Sequence, residues 1–218
     1  MEAVKNQRNS FNKWSVSPLS ENDGKTNMDV DLYLLESAIS NNSEVPILRT
    51  YVWSEETVSL GANQNIDEAD KFGSYPTVKR ITGGQAVFHG TKDKELTYST
   101  VMKHSGFGKK IYLVIGGILI SFLESYGLKA GYGYSTKDYK NKFNCFESKT
   151  PGDIVVNEIK IIGSAQYRKD GYILQHGSIR LDLMNTLTGQ NINYLEANDR
   201  LIEMFIRIGA CQVPGTII

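Results

Sequence analysis

The chain has 218 residues, 40% of them hydrophobic and 22% charged, with 24 Lys and Arg balanced by 24 Asp and Glu. That length supports one sizeable core or two small ones, and the zero formal charge argues against a general binder of nucleic acid or membrane surfaces. The three histidines and two cysteines show no metal-ligand spacing, so no metal is expected; few cysteines and no secretory leader point to a reducing, cytoplasmic setting.

Residues 1–25 are polar, with Ser-Pro and Asp-Gly pairs, and read as a flexible N-terminal arm ahead of one α+β domain over 26–218. Asn27 opens a helical pattern whose Met28, Val30, Leu32, Leu34, Leu35 and Ala38 give a mostly buried face, and Asn41-Asn42 ends it. Asp29 and Asp31 read as acids at the helix start. Ile47 to Trp53 and Thr57 to Leu60 are strands, and Ile66 to Phe72 reads as a short helix closed by Gly73. Thr77 to Ile81 and Gln85 to His89 are short strands around Gly83-Gly84, followed by a strand from Leu96 to Met102.

Ile111 to Leu123 is the longest apolar run. It falls short of the roughly 20 residues that cross a bilayer, and its small residues Gly116, Gly117 and Ser121 suit a buried helix. Gly127 to Lys142, rich in glycine, tyrosine and lysine, reads as exposed and mobile, and the composition of 132–142 permits a lid. Ile154 to Val156, Ile159 to Tyr167 and Tyr172 to Leu181 form a meander turning at Asn157-Glu158 and Lys169-Asp170-Gly171. Tyr194 to Ile208 is a helix with Leu195, Leu201, Ile202, Phe205 and Ile208 on its inner side.

Chemistry centres on Cys145 upstream of Lys160. A thiol can carry an acyl group as a thioester, and a lysine among apolar neighbours can shuttle the proton. Free cysteines are commonly buried and inert, but Cys145 sits among Asn144, Glu147, Ser148 and Lys149, just after Lys140 and Lys142, which favours the thiolate. Cys211 has no such company and reads as structural. Strand alternation puts Lys160, Ile162, Ser164 and Gln166 on one face, and Ile159, Ile161, Gly163 and Ala165 on the other. Gly163 within a strand marks close backbone approach. In VKRITGGQAVFH, from Val78, the Gly83-Gly84 pair brings backbone N–H groups near a ligand, or simply makes a tight turn. Arg80 offers a charged fork for an anion or an acyl carbonyl. His89 and His176 sit in no serine-hydrolase motif and read as hydrogen-bonded structural histidines.

Four blocks then occur in order: NMDVDLYLLE from Asn27, LRTYVWSEETVSLGANQN from Leu48, KRITGGQAVFH with ELTYS from Lys79 to Ser99, and CFES through GSAQYRKDGYILQHGSIRLD. Together they span about residues 27 to 182 and resemble the lipoate–protein ligase and octanoyltransferase family, related in fold to biotin–protein ligases. The nearest branch is that of the cysteine-dependent octanoyl-[carrier protein]:protein octanoyltransferases. The resemblance implies a single biotin/lipoyl-ligase-like catalytic domain with mixed β-sheets flanked by helices. It implies Cys145 and Lys160 as catalytic residues, and a substrate site made from Arg80, Thr82, Gly83, Gly84, His89, Gly163, Ser164, Ala165, His176 and Gly177.

In that branch octanoate passes from acyl carrier protein through a cysteine thioester to a lysine, on the lipoyl domain of a 2-oxoacid dehydrogenase E2 or on glycine cleavage H protein, without a cofactor. Ligases of the family use ATP and Mg instead, some with a separate accessory subunit. Cys145, and a tail of 36 residues after Asp182, favour the transferase. A non-catalytic acyl- or carrier-binding protein is the reading from another class. Departures are Lys79 where the family often has arginine, Glu158 at a turn position often held by glycine, Gln85 in place of a small or basic residue, and an early end at GACQVPGTII.

Overall fold

The computed structural model describes residues 14–66, 73–104, 108–133, 150 and 152–209. The expected helix at 66–72 and the expected lid at 132–142 therefore lie largely outside the described residues, as does Cys145.

Asp23 starts the first helix, α1 (Gly24–Ser40), by accepting the Thr26 N–H on its carboxylate at 2.7 Å. The helix thus begins three residues before Asn27, and it ends as expected at Asn41-Asn42, where Asn42 takes a left-handed φ of 47°. The described strands make two mixed sheets. The larger runs in the order β1 (Ser15–Val16), β3 (Ile47–Trp53), β7 (Glu95–Lys103), β11 (Tyr172–Arg180), β10 (Ile159–Lys169), β9 (Ile154–Val156), β8 (Ala130–Tyr132), with β2 (Ser20–Asn22) also on β3. The smaller has β4 (Thr57–Leu60) between β5 (Thr77–Lys79) and β6 (Val87–His89).

Residues 14–22, read from composition as part of an arm, instead give two short strands parallel to β3. Parallel pairing with a distant strand leaves no hairpin turn signature, so composition alone misses it. Ala130–Tyr132, within the stretch read as mobile, pairs antiparallel with β9. The helix α3 (Leu181–Thr188), ended by Gly189 at φ 67°, is a further element without a counterpart in the sequence reading.

The apolar run becomes α2 (Gly108–Glu124), and the last helix is α4 (Tyr194–Gly209). Together they cover one face of the large sheet. Ile115, Ile118, Phe122, Leu201 and Phe205 meet Leu48, Leu96, Tyr98, Ile162 and Ile179 in the main core. The opposite face is covered by α1, where Leu35 and Ala38 pack on Val101, Tyr172 and Leu174. Alternation along β3 and β7 sends Arg49, Tyr51, Trp53, Thr97 and Ser99 to this second face. One side of the sheet is therefore an apolar core, and the other a buried polar seam.

Phe205 is fully buried, edge-on to Trp14 at 5.1 Å. Phe205→Ala is expected to lower unfolding stability by about 3–5 kcal/mol through lost burial and a residual cavity. In urea titration the midpoint should fall with the slope unchanged.

Candidate active site

A cavity of about 580 Å³, counted with its open mouth, lies on the polar side of the large sheet. The residues bordering it come from α1 (Met28), β3 (Tyr51, Trp53), β4 (Ser59), the loop carrying Arg80 and Gly84, β6 (Val87, His89), β7 (Thr97), Thr150 and Asp153, β10 (Lys160, Gly163, Ser164, Ala165) and β11 (His176, Gly177, Ser178). Tyr51, Trp53, Met28 and Val87 give it apolar surface, while the charged groups along it are all held by partners.

Lys160 reaches this cavity because β10 is irregular. Its register on β9 shifts between Lys160, opposite Val155, and Ile162, opposite Ile154. Ile161 and Ile162 both enter the main core, which strict alternation forbids. Lys160 is thereby separated from the Ile162 and Ser164 face on which alternation places it, and it borders the cavity with Gly163 and Ala165. Ser164 also borders the cavity, but its hydroxyl bonds the Tyr98 hydroxyl at 2.8 Å. Burial pushes the Tyr98 phenol up to about 12, so it stays protonated and can donate. Lys160 Nζ lies 2.9 Å from Asp153 Oδ2, and both side chains are 2% exposed. Asp153 is fixed in turn by the Thr150 N–H at 2.6 Å and the Thr150 hydroxyl at 3.1 Å.

The roof is the Gly83-Gly84 loop, and Arg80 holds it. Nη2 donates to the carbonyls of Gly83 (3.0 Å) and Gln85 (2.6 Å), while Nη1 donates to Ser59 O (2.8 Å) and Oγ (3.0 Å). The fork read as a ligand anchor is thus committed in large part to the protein's own backbone. Gly84, at φ 96°, brings its carbonyl so close to Gly61 that a Cβ there would stand 2.0 Å from it. Gly83 has open space around it and borders no part of the cavity.

Both candidate histidines are buried, and each is held on one side by a carboxylate. His89 Nδ1 donates to Glu95 Oε1 at 2.8 Å, leaving Nε2 to accept the Ser59 hydroxyl at 2.7 Å. The ring stacks on Trp53, with centroids 3.8 Å apart. Burial brings His89 below its ordinary 6.5, against the pull of Glu95. His176 Nδ1 donates to Asp31 Oδ2 at 3.0 Å, and Nε2 accepts the Thr82 hydroxyl at 2.7 Å. Thr82 supports the site through His176 and does not itself border the cavity.

Asp31 is not the helix-terminal acid that its place in the sequence suggests. Asp29 is exposed and pairs with Lys25, but Asp31 is buried and ties four elements together. It receives Arg49 Nη1 at 2.7 Å, the Ser99 hydroxyl at 2.7 Å, the Tyr51 hydroxyl at 3.2 Å and His176. Burial alone would raise its carboxyl, but the His176 hydrogen bond and charge, then Arg49 and Ser99, hold it below the usual value. Asn27, one helical turn before it, accepts Arg49 Nη2 at 2.7 Å on its side chain and Nη1 at 3.1 Å on its carbonyl. The i, i+4 spacing of Asn27, Asp31 and Leu35 was the available signal that Asp31 faces inward. Ser59, Glu95 and Asp153 were missed as well; only the fold joins them to His89 and Lys160.

Among the described residues no group of His, Cys, Asp and Glu could hold a metal ion, and no helix is long and apolar enough to cross a membrane.

The lipoyl protein ligase A/B catalytic domain model matches residues 23–200. The chain belongs to that enzyme family. It is 36% identical over 197 residues to octanoyltransferase LipM of Carboxydothermus hydrogenoformans, covering 84% of this chain and 71% of the relative. It spans about two thirds of the length of the other LipM relatives it matches. Among solved structures it superposes on lipoate-protein ligase A bound with ATP, with a TM-score of 0.66 at 22% identity, over 90% of this chain and 85% of the other. A bipartite lipoate protein ligase with its E2 lipoyl domain from Thermoplasma acidophilum gives 0.60 at 20% identity, over 89% and 84%. The expected fold, a single α+β catalytic domain with mixed sheets, is the one observed.

Asp31→Asn removes one charge of a buried pair and should cost about 3–5 kcal/mol, because Arg49 stays buried uncompensated. Since the folded Asp31 carboxyl lies below its ordinary 3.8, wild-type stability should decline as pH falls from 3.8 through the folded value. The depressed His89 adds a decline that sets in as pH falls through its ordinary 6.5 and continues down to its lower folded value. Urea midpoints between pH 7 and 3 should fall in both proteins, because the depressed His89 and Glu95 remain in each, but Asp31→Asn should lack the added Asp31 component and fall less steeply near the acid end.

Proposed function

We propose that the protein is an octanoyltransferase of protein lipoylation working through a Cys145 thioester. The octanoyl group comes from the phosphopantetheine thioester of acyl carrier protein. It goes to a lysine on the lipoyl domain of a 2-oxoacid dehydrogenase E2 or on glycine cleavage H protein. The supporting observation is the buried Lys160–Asp153 pair on the wall of a partly apolar cavity, in a chain whose sequence relatives are octanoyltransferases.

The acyl chain lies along the apolar surface beneath the Gly84 loop. Lys160 assists formation of the Cys145 thiolate, which attacks the carbonyl and displaces the carrier thiol. Backbone N–H groups near Gly163 and Ser164 stabilise the oxyanion. The acceptor lysine then attacks the thioester, the C–S bond breaks, and Lys160 relays the amine proton to the departing Cys145 sulfur, while Asp153 keeps Nζ in place by accepting a hydrogen bond. Thioester exchange is close to balanced and amide formation drives it forward, so the reaction needs neither ATP nor metal. The chemistry suits the cytoplasm, where carrier thioesters and reduced thiols persist. ATP-dependent ligation has weaker support, since the ATP-bound ligase shares the fold at 22% identity while the closer sequence matches are transferases.

Incubation with octanoyl-carrier protein without ATP should add one octanoyl group to the intact protein, lost to hydroxylamine and absent in Cys145→Ala. Lys160→Met should cut turnover by about 10²–10⁴, assayed at a temperature where its circular dichroism spectrum is native, since it leaves buried Asp153 unpaired and lowers stability. Carrier modification only with ATP and free lipoate would make the protein a ligase. Full turnover in Cys145→Ala would remove the thioester.

A further inference from the structure

The two histidine–carboxylate pairs share one pattern: carboxylate to Nδ1, hydroxyl to Nε2. Asp31, His176 and Thr82 form one, and Glu95, His89 and Ser59 the other. They differ in what they present to the cavity. Thr82 is fully buried and away from it, and Asp31 already shares its charge with Arg49. Ser59, a primary hydroxyl, borders the cavity beside Arg80 and His89, and the ion pair Glu95 makes among the described residues is with His89. Only the second set places both its hydroxyl and its imidazole on the surface where an acyl group would lie, with the orienting carboxylate of Glu95 buried behind them.

The supporting contacts also favour proton transfer. The Thr97 hydroxyl donates to Glu95 Oε1 at 2.9 Å and itself accepts the Trp53 indole N–H at 2.9 Å, which fixes the carboxylate. Trp53 stacks on the imidazole and holds its plane. Arg80 Nη1, 3.0 Å from Ser59 Oγ, places positive charge where the alkoxide develops.

We propose that Ser59, His89 and Glu95 form a second nucleophilic site that hydrolyses a medium-chain acyl thioester held in the cavity, discharging acyl groups that are not passed on. The substrate rests on the proposed function, whereas the triad geometry does not. In the first half, Ser59 Oγ bonds the carbonyl carbon, its proton moves to His89 Nε2, and the C–S bond breaks as the proton passes to the departing sulfur. In the second half, water bonds the same carbon and gives a proton to His89. The Ser59 ester bond then breaks and Oγ recovers that proton, leaving the free acid. Water is the only co-reactant. Burial keeps His89 neutral at physiological pH, as a base must be.

The probe is an octyl fluorophosphonate, which marks activated serines, applied to the wild type and to Cys145→Ala with peptide mapping. Ser59 should carry the phosphonate in both. Labelling should vanish in Ser59→Ala and slow by at least about 10²-fold in His89→Gln. In parallel, Cys145→Ala should release octanoate from octanoyl-carrier protein, and adding Ser59→Ala should abolish the release. An unlabelled Ser59 in protein with a native circular dichroism spectrum, or octanoate release unchanged by Ser59→Ala, overturns the proposal. The Cys145 adduct is scored separately in the wild type. Its absence together with a labelled Ser59 would sink the transferase reading and leave the triad standing.

Discussion

The Arg49–Asp31 ion pair is the constraint on which the polar half of the molecule rests. Both side chains are 2% exposed, and removing a carboxylate and a guanidinium from water is costly unless each is paired and hydrogen-bonded. Asp31 takes bonds from Arg49, Ser99, Tyr51 and His176, and Arg49 also donates to Asn27. The arrangement satisfies the charges only if α1 sits in one position against β3, β7 and β11. Pairing thereby converts an electrostatic liability into a positional constraint, and the constraint extends through His176 to Thr82 and the loop above the cavity.

The two faces of the large sheet divide the work. The α2 and α4 side is apolar, with Leu96, Tyr98, Ile162 and Ile179 packed under the helices. Each such side chain contributes about 1.5–3 kcal/mol by burial. The other side replaces much of that packing with hydrogen-bonded networks, which contribute less per group and are costly when incomplete. A protein selected for stability alone would gain by filling that seam with hydrocarbon. Keeping it polar makes sense where oriented donors and acceptors must face a bound molecule.

Where local pattern governs local structure, the sequence was legible. The strands Ile47–Trp53 and Thr57–Leu60 fall where alternation and Gly61 place them, and the meander turns at Asn157-Glu158 and Asp170-Gly171, each pair at positive φ. Glu158 tolerates φ 64° in a position that suits glycine, so the departure from family pattern changes the residue and keeps the turn. Several residues that border the cavity, among them Gly84, His89, Lys160, Gly163 and His176, stand in recognisable blocks of the sequence, whereas Thr82 and Gly83 of the same blocks do not border it, and the geometry itself had no local signal. Lys160 turns to the cavity through a register shift that alternation cannot foresee. Asp31 becomes a hub through partners 18, 68 and 145 residues away. Ser59 and Glu95 carry no local mark at all, since Ser59 meets His89 only through the pairing of β4 with β6, and Glu95 meets it from the large sheet.

Cavity chemistry follows from the same division. Lys160 on β10 and Asp153 just before β9 border the cavity from the large sheet, His89 and Ser59 border it from the small sheet, and Arg80 holds the loop beside them. Each ionisable group therefore sits on a separate element, and none is positioned by its sequence neighbours alone. Charges so arranged cannot relax toward one another without moving a strand, and this rigidity lets a low-dielectric site hold several of them apart. A thiol delivered to such a wall meets a lysine, an arginine and two oriented imidazoles that are already in place, so reaction there requires little reorganisation of the protein.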